Sequence, residues 1–331
     1  MTLRSLAGLA GLLVFALPAH AVDLDRPDVE AFIQTMVRKH DYDRVKLRGI
    51  LGEARIDDSV VDMISKPAEK TLNWAEYRNI FITRERIDAG AAFWKANHDA
   101  LERVSAQTGV PIRIVVGIIG VESYFGRITG GHRVLDALTT LAFDYPPRAR
   151  YFRGELEQFL LLVREEDMPA TAAIGSYAGA MGRPQFMPSS YRAYAVDSSG
   201  DGKRDIWNDW SDVAGSIANY FVKHGWRTGE EVVTRATLDQ DWQNPAPEPA
   251  NTLDPADTIQ SLSDKGVMFA TDLPNDGEAQ LLALEGADGA EYWVAFHNFF
   301  VITRYNRSVM YALAVQQLGQ EVALEVARAG S

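Results

Sequence analysis

The chain is 331 residues long, 47% apolar and 24% charged, with no cysteine. That balance belongs to a globular protein and excludes a mostly disordered chain, a disulfide scaffold, a thiol nucleophile, a cysteine-ligated metal and a lipid anchor on cysteine. The formal charge of −12 argues against a nucleic-acid surface, which needs a basic face to meet phosphate. Residues 1–21 have the pattern of a cleavable secretory signal: Arg4, an apolar stretch over 6–17, and Ala19-His20-Ala21 as a small-x-small cleavage site. The stretch is too short to span a membrane, and no later segment replaces it. Cleavage after about Ala21 predicts a soluble protein in a periplasm-like space beside the cell wall, with a net charge of −13.

Residues 27–108 read as helical, with Val29, Phe32, Ile33 and Met36 at helical spacing. Pro111 opens a strongly apolar segment that ends at Phe125-Gly126, and a buried helix is predicted over 111–125. Residues 134–164 are helical again, and 172–191 are crowded with Gly, Ala, Ser and Pro. A loop over 197–209 precedes an amphipathic helix over 212–224. Between 229 and 289 the composition shifts, broken by Asn244-Pro-Ala-Pro-Glu-Pro, and the aromatic, β-branched run over 292–303 predicts strand. Helix returns from Asn306. The fold class is mainly α (α+β): a mostly helical protein with a small β-containing insertion, not a doubly wound sheet.

Glu122 follows ten nearly uninterrupted apolar residues and sits in the last turn of the predicted helix. Apolar surroundings and the negative end of the helix dipole both favour the neutral carboxyl. A carboxyl held so can give a proton to a leaving oxygen. The structural alternative is a carboxylate paired with an arginine such as Arg127. Glycoside cleavage commonly takes two carboxylates; Asp136 and Asp144 are the nearest downstream, and neither is singled out. Without a second acid, a group on the sugar itself would perform the nucleophilic step.

The segment Ser176-Tyr-Ala-Gly-Ala-Met-Gly-Arg-Pro-Gln-Phe-Met-Pro-Ser-Ser-Tyr191 joins small residues to neutral hydrogen-bonding and stacking groups, which suits a sugar. It equally suits tight packing with a turn at Pro188 and Ser189 as a helix cap. Downstream, Asp197-Ser-Ser-Gly-Asp-Gly-Lys-Arg-Asp-Ile-Trp-Asn208 aligns with a helix–loop–helix calcium loop. Oxygen ligands fall at Asp197, Ser199, Asp201 and Asp205, Lys203 offers its carbonyl, and Gly202 stands at the sharp turn. Position 12, normally Glu, is Asn208 with Asp209 beside it, which predicts a weaker, structural Ca²⁺ site. A solvated Asp/Gly turn is the alternative.

These residues resemble the lytic murein transglycosylases of the B type, periplasmic enzymes with a goose-lysozyme-like core. The likeness runs through Gly117-Ile-Ile-Gly-Val-Glu-Ser-Tyr-Phe-Gly, Thr139-Thr-Leu-Ala-Phe-Asp-Tyr-Pro, Ser176-Tyr-Ala-Gly-Ala-Met-Gly, Pro184-Gln-Phe-Met-Pro-Ser-Ser-Tyr, the loop from Asp197, Ala218-Asn-Tyr-Phe-Val-Lys-His-Gly-Trp and Asn298-Phe-Phe-Val-Ile-Thr-Arg-Tyr-Asn. The blocks keep family order and, with their flanks, cover most of the mature chain. The resemblance implies that Glu122 is a single acid, then base, cleaving the bond between N-acetylmuramic acid and N-acetylglucosamine without water to leave a 1,6-anhydromuramoyl end. It implies that Ser176, Gln185, Tyr220, Asn298 and Tyr305 line the glycan groove, that the loop from Asp197 holds Ca²⁺, and that no organic cofactor is needed. Peptidoglycan strands would be the substrate, with proteins of wall-synthesis or wall-hydrolysis complexes as further partners.

The resemblance also implies an N-terminal helical domain over 22–110, a lysozyme-like core over 111–228, a small β domain over 229–297, and a closing segment over 298–331 that lines the groove and packs on the helical domain. Two departures from the family pattern stand out. Pro147-Arg148 replaces a paired Arg, making Arg148 the candidate substrate contact there, and the spacing after Asn208-Asp209 is longer by one residue. A hydrolytic muramidase and a non-catalytic wall-binding scaffold are the rival readings.

Overall fold

The structure, a computed structural model, describes residues 20–65, 72–240 and 253–329. Most of the segment expected to be a cleavable signal, residues 1–19, lies outside these. The described chain starts with a short strand, β1 (His20–Ala21), paired antiparallel to β2 (Arg55–Ile56). Cleavage after Ala21 would remove β1.

The centre of the molecule follows from one apolar segment. Helix α7 (Ile112–Ser123) buries nine of its residues, and a helix apolar on every side must lie inside. It starts after Pro111 and stops at Tyr124, which adopts the left-handed conformation (φ 48°). The longest helix among the described residues, α14 (Val309–Arg328), runs along it. Glycines let the two backbones touch: a Cβ on Gly117 would stand 2.3 Å from the Val315 carbonyl oxygen, and one on Gly319 2.0 Å from that of Arg113. Helices α4 (Trp74–Phe81) and α5 (Arg84–Ala96) pack on the outer side of α14, and α6 (His98–Thr108) on α11 (Trp210–Lys223).

Helices α8 (Val134–Asp144) and α9 (Ala149–Glu165) form an antiparallel pair joined by a 3₁₀ turn at Pro146–Arg148. The N-terminal helix α1 (Pro27–His40) is bonded to this pair. Arg26 binds Asp144 at 2.6 Å, Arg153 reaches Asp28 at 3.0 Å, and the Tyr42 hydroxyl donates to the Leu160 carbonyl at 2.9 Å.

A five-stranded antiparallel sheet occupies residues 233–296, in the order β6 (Asp257–Thr258), β8 (Glu278–Gly286), β9 (Gly289–Phe296), β5 (Val233–Leu238), β7 (Val267–Met268). Side chains alternate across it, as pleating requires. Leu282, Leu284 and Ala295 join the main core, while Leu281, Val294 and Phe296 enclose a small second core with Ile259 and Leu262 of α12 (Ile259–Asp264).

Two local expectations are corrected. The strand predicted over 292–303 stops at Phe296, and helix α13 (His297–Tyr305) follows directly. Burial of Phe299, Phe300 and Ile302 on the main core overrides the strand preference of their residue types. Ser189 does not cap α10 (Pro188–Tyr194): Met187 holds that position, and Ser189 gives both its N–H and its hydroxyl to the Glu155 carboxylate, at 3.0 and 2.7 Å. Among the described residues, no single helix is long and apolar enough to cross a membrane.

Candidate active site

Glu122 stands half-buried in the last turn of α7. Behind it Ser123 is fully buried, its hydroxyl donating to the Ile119 carbonyl (3.2 Å) and accepting from the Gly126 N–H (3.1 Å). The close crossing of α7 and α14 brings Tyr311, 2% exposed, onto Glu122, and its hydroxyl donates to Oε1 at 2.5 Å. Tyr305 lies parallel to Tyr311, with ring centroids 6.5 Å apart, and donates to the Pro184 carbonyl at 2.6 Å. Burial, then the nearby Glu122 charge, pushes both phenols well above the usual tyrosine range, so both stay hydroxyl donors. Arg127, the pairing partner considered for Glu122, lies with its guanidinium 4.9 Å from the Tyr124 ring centre.

The aromatic wall continues from Tyr305 to Tyr220 (4.8 Å) and Phe186 (5.7 Å), and the Tyr220 hydroxyl donates to the Arg304 carbonyl at 2.5 Å. Phe186 belongs to the segment 175–186, which is folded by short bridges, Gly175 to Met181 and Met181 to Phe186. Ser176 supports that fold: its hydroxyl accepts from the N–H groups of Ala178 and Ala180. Gln185 (φ 52°) donates to the carbonyls of Gly182 (2.7 Å) and Thr129 (3.1 Å), tying the segment to the turn after Glu122. Five expected residues thus fall into one connected set: Glu122, Ser176, Gln185, Tyr220 and Tyr305.

Asn298 departs from the expectation. It is 0% exposed, and its amide is wholly engaged with backbone at residues 227 and 230, so it clamps a loop and presents nothing to a groove. Arg148 is exposed and stacks over Tyr151 at 4.6 Å, beside a pocket of about 680 Å³ that also includes Pro147 and Gln158. The possible second acids are occupied elsewhere. Asp144 pairs with Arg26, and Asp136 accepts from the Arg55 N–H and pairs with Arg133. Nothing in the sequence marks Tyr311, whose place in an apolar helical pattern looks like core.

The acidic loop brings together a different set of carboxylates from the one expected. Carboxylate oxygens of Asp197, Asp201 and Asp212 lie within 4.8 Å of one another. Asp212 is 0% exposed and accepts from the N–H groups of Ser198, Ser199 and Asp205 at 2.8–2.9 Å. Ser199 and the Lys203 backbone flank the cluster through Asp197 and Asp201. The three remaining candidates stand outside this cluster. Asp209 caps α11, Asp205 accepts from the N–H groups of Trp207 and Asn208, and Asn208 donates its amide to Asp205. A helix placed one turn later than the standard loop makes Asp212 the acid expected at Asn208. Three hard, anionic oxygen donors fit Ca²⁺, and a fully buried carboxylate beside two others is costly without a cation.

Residues 25–320 match the family of the Transglycosylase SLT domain. The membrane-bound lytic murein transglycosylase B of Escherichia coli K12 is 45% identical over 309 residues, 91% of this chain and 84% of that protein. The soluble lytic transglycosylase SltB1 of Pseudomonas aeruginosa superposes with a TM-score of 0.85 at 48% identity, over 90% of this chain and 99% of that one. E. coli Slt35, solved in complex with calcium, superposes with a TM-score of 0.84 at 44% identity, over 93% and 97%. The more distant SltB3 of P. aeruginosa (30% identical, TM-score 0.77, 89% and 78% covered) has been solved with NAG-anhNAM-pentapeptide. The mainly helical, lysozyme-like fold with its small sheet is theirs. With residues 25–320 in that domain family and a relative 45% identical over 91% of this chain, the protein belongs to the lytic transglycosylases, lyases that cleave peptidoglycan.

Proposed function

We propose that Glu122 alone performs both proton transfers of the reaction. Its carboxyl protonates the glycosidic oxygen between N-acetylmuramic acid and N-acetylglucosamine, and the muramoyl C1–O bond breaks. The sugar's own N-acetyl oxygen supports the positive charge at C1. The Glu122 carboxylate then takes the proton of the muramoyl C6 hydroxyl as that oxygen attacks C1. A 1,6-anhydro ring forms, no water is consumed, and Glu122 ends protonated as it began. Tyr311 holds Oε1 throughout, since its hydroxyl does not ionise at working pH.

The observation that carries this reading is the hydrogen bond from Tyr311 to a half-buried Glu122, with Asp136 and Asp144 engaged in ion pairs of their own. The anhydromuramoyl compound in the SltB3 complex supports the product assignment. Ser176 and Gln185 shape the groove floor, Tyr220 and Tyr305 its aromatic side, and Arg148 meets a more distant part of the strand. Digestion of purified peptidoglycan by the wild type and by Glu122→Gln, followed by mass spectrometry, tests the reading. Anhydro ends, lighter by one water than reducing ends, are expected from the wild type only. Reducing ends would mean hydrolysis, and lysis by Glu122→Gln would remove the acid.

The loop from Asp197 holds Ca²⁺ through Asp197, Asp201 and Asp212, with Ser199 and the Lys203 carbonyl completing the shell. The calcium bound in Slt35 supports this. A bound ion would tie Asp197, Asp201 and Asp212 together and so fix the loop. The four-part division at 22–110, 111–228, 229–297 and 298–331 is supported by the separate small core of the sheet and by α14 packing on α4 and α5. Export to the periplasm, cleavage after Ala21 and association with wall-synthesis proteins complete the reading. The pattern of residues 1–21 supports export and cleavage.

A further inference from the structure

The turn that follows Glu122 is strained. Three successive residues, Tyr124, Phe125 and Gly126, have φ of 48°, 57° and 81°. For Tyr and Phe this conformation costs energy, and it persists only where surrounding contacts enforce it. Some of those contacts come from α5: Phe93 stacks on Phe125 at 5.5 Å, and Arg86 lies over Tyr124 at 4.5 Å. Another comes from the acidic loop. The Arg183 guanidinium lies 3.8 Å from the centre of the Trp210 ring, and its Nη1 donates to the Asn208 carbonyl at 2.9 Å. The Arg183 N–H donates to the Ile206 carbonyl at 3.0 Å.

This pair bears directly on Gly126. A Cβ there would stand 2.9 Å from the Trp210 ring and 3.3 Å from the Arg183 Nε, so backbone and stack are in contact. Trp210 also meets Phe93 edge-on at 4.6 Å, closing the ring of contacts around the turn. Arg183 therefore touches the loop of residues 206–208, the first residue of α11 and the turn that orients Glu122.

We propose that Arg183 is a positioning residue, which through its stack on Trp210 makes the fold of the acidic loop hold the strained turn behind Glu122. The inference rests on Glu122 being the catalytic acid. It makes calcium and catalysis interdependent without the ion approaching substrate: loosening the loop releases Trp210 and Arg183, and the turn relaxes.

The test combines Arg183→Ala with removal of calcium by a chelator, well below the melting temperature. Arg183→Ala is expected to lower kcat about ten- to a hundredfold, the scale of a small misplacement of reacting groups, and to leave KM within about twofold. Chelation is expected to lower kcat of the wild type and to add little in Arg183→Ala, because the path is already cut. Independently of activity, amide exchange of residues 123–130 should quicken on chelation in the wild type and be fast with or without calcium in the variant. Arg183→Lys keeps the charge and loses the flat face, so it should stay slow, and full recovery would overturn the stacking contact. If Arg183→Ala does not fold, Trp210→Leu removes the same stack from the other side. Wild-type kcat and exchange in the variants, with Glu122→Gln inactive, would overturn the inference alone. Activity in Glu122→Gln would instead overturn the assignment of the acid.

Discussion

Tyr311 shows how much one hydroxyl contributes at the residue scale. It is buried, and its bond to Glu122 fixes one carboxylate oxygen, while Asp136 and Asp144 are held in ion pairs of their own. Tyr311→Phe keeps the ring and removes only the donor. Its kcat is expected to fall about tenfold or more, the scale of one hydrogen bond to a charged group, with KM little changed. Steady-state kinetics on a soluble muropeptide substrate would measure both. Because Tyr305 and Tyr311 are both pushed well above the usual tyrosine range, neither should ionise as pH rises to about 10. An ultraviolet titration of tyrosinate should therefore give the same amplitude for wild type and Tyr311→Phe up to that pH, and a smaller one in the variant would contradict the environment described.

At the scale of elements, the contact of α7 with α14 places the site. Glycine at 117 lets the α14 backbone approach so closely that a Cβ would meet a carbonyl oxygen. Gly117→Ala is expected to cost about 1–3 kcal/mol, the range for overpacking a filled core, and to displace Tyr311 from Glu122. Urea unfolding gives the first quantity, and kcat falling in the folded variant gives the second. Much of this layer was legible in the primary structure. The run from Ile112 to Val121, apolar but for Arg113, dictated a buried helix, and Pro111 marked its start. The helix over 297–303 was not legible, since its aromatic and β-branched residues suit either state until the core they face is known.

Two features act on the whole molecule. Asp28 lies between Arg26 and Arg153 and links α1 to the α8–α9 pair; its carboxyl is held below the usual carboxylate range, chiefly by the bond from Arg26. A lowered folded-state value means this contribution is complete above the unfolded value of about 3.8 and is lost as pH falls through the folded one. Asp28→Asn should therefore flatten the loss of stability below pH 4, as acid titrations of unfolding at fixed urea would measure. The acidic loop joins α10 to α11, and an ion bound only by the folded chain stabilises it by mass action. Calcium should raise the melting temperature of the wild type and leave that of Asp212→Asn unchanged, which calorimetry with and without chelator would decide.

The order of residues determined by itself that this is an exported-looking, cysteine-free, mostly helical chain with an acid closing an apolar helix and an acidic loop of metal-binding spacing. Those features are local, carried by periodicity, composition and short spacing. Only the tertiary structure decided that Tyr311 holds the acid, that Asp212 and not Asn208 or Asp209 joins the acidic cluster, and that Asn298 clamps a loop. Each depends on residues brought together across many positions: Glu122 and Tyr311 are 189 apart in sequence, Asn298 and Arg227 71. Such meetings are set by where helices cross and where a loop ends. A buried tyrosine or aspartate carries no mark of its partner until packing supplies one.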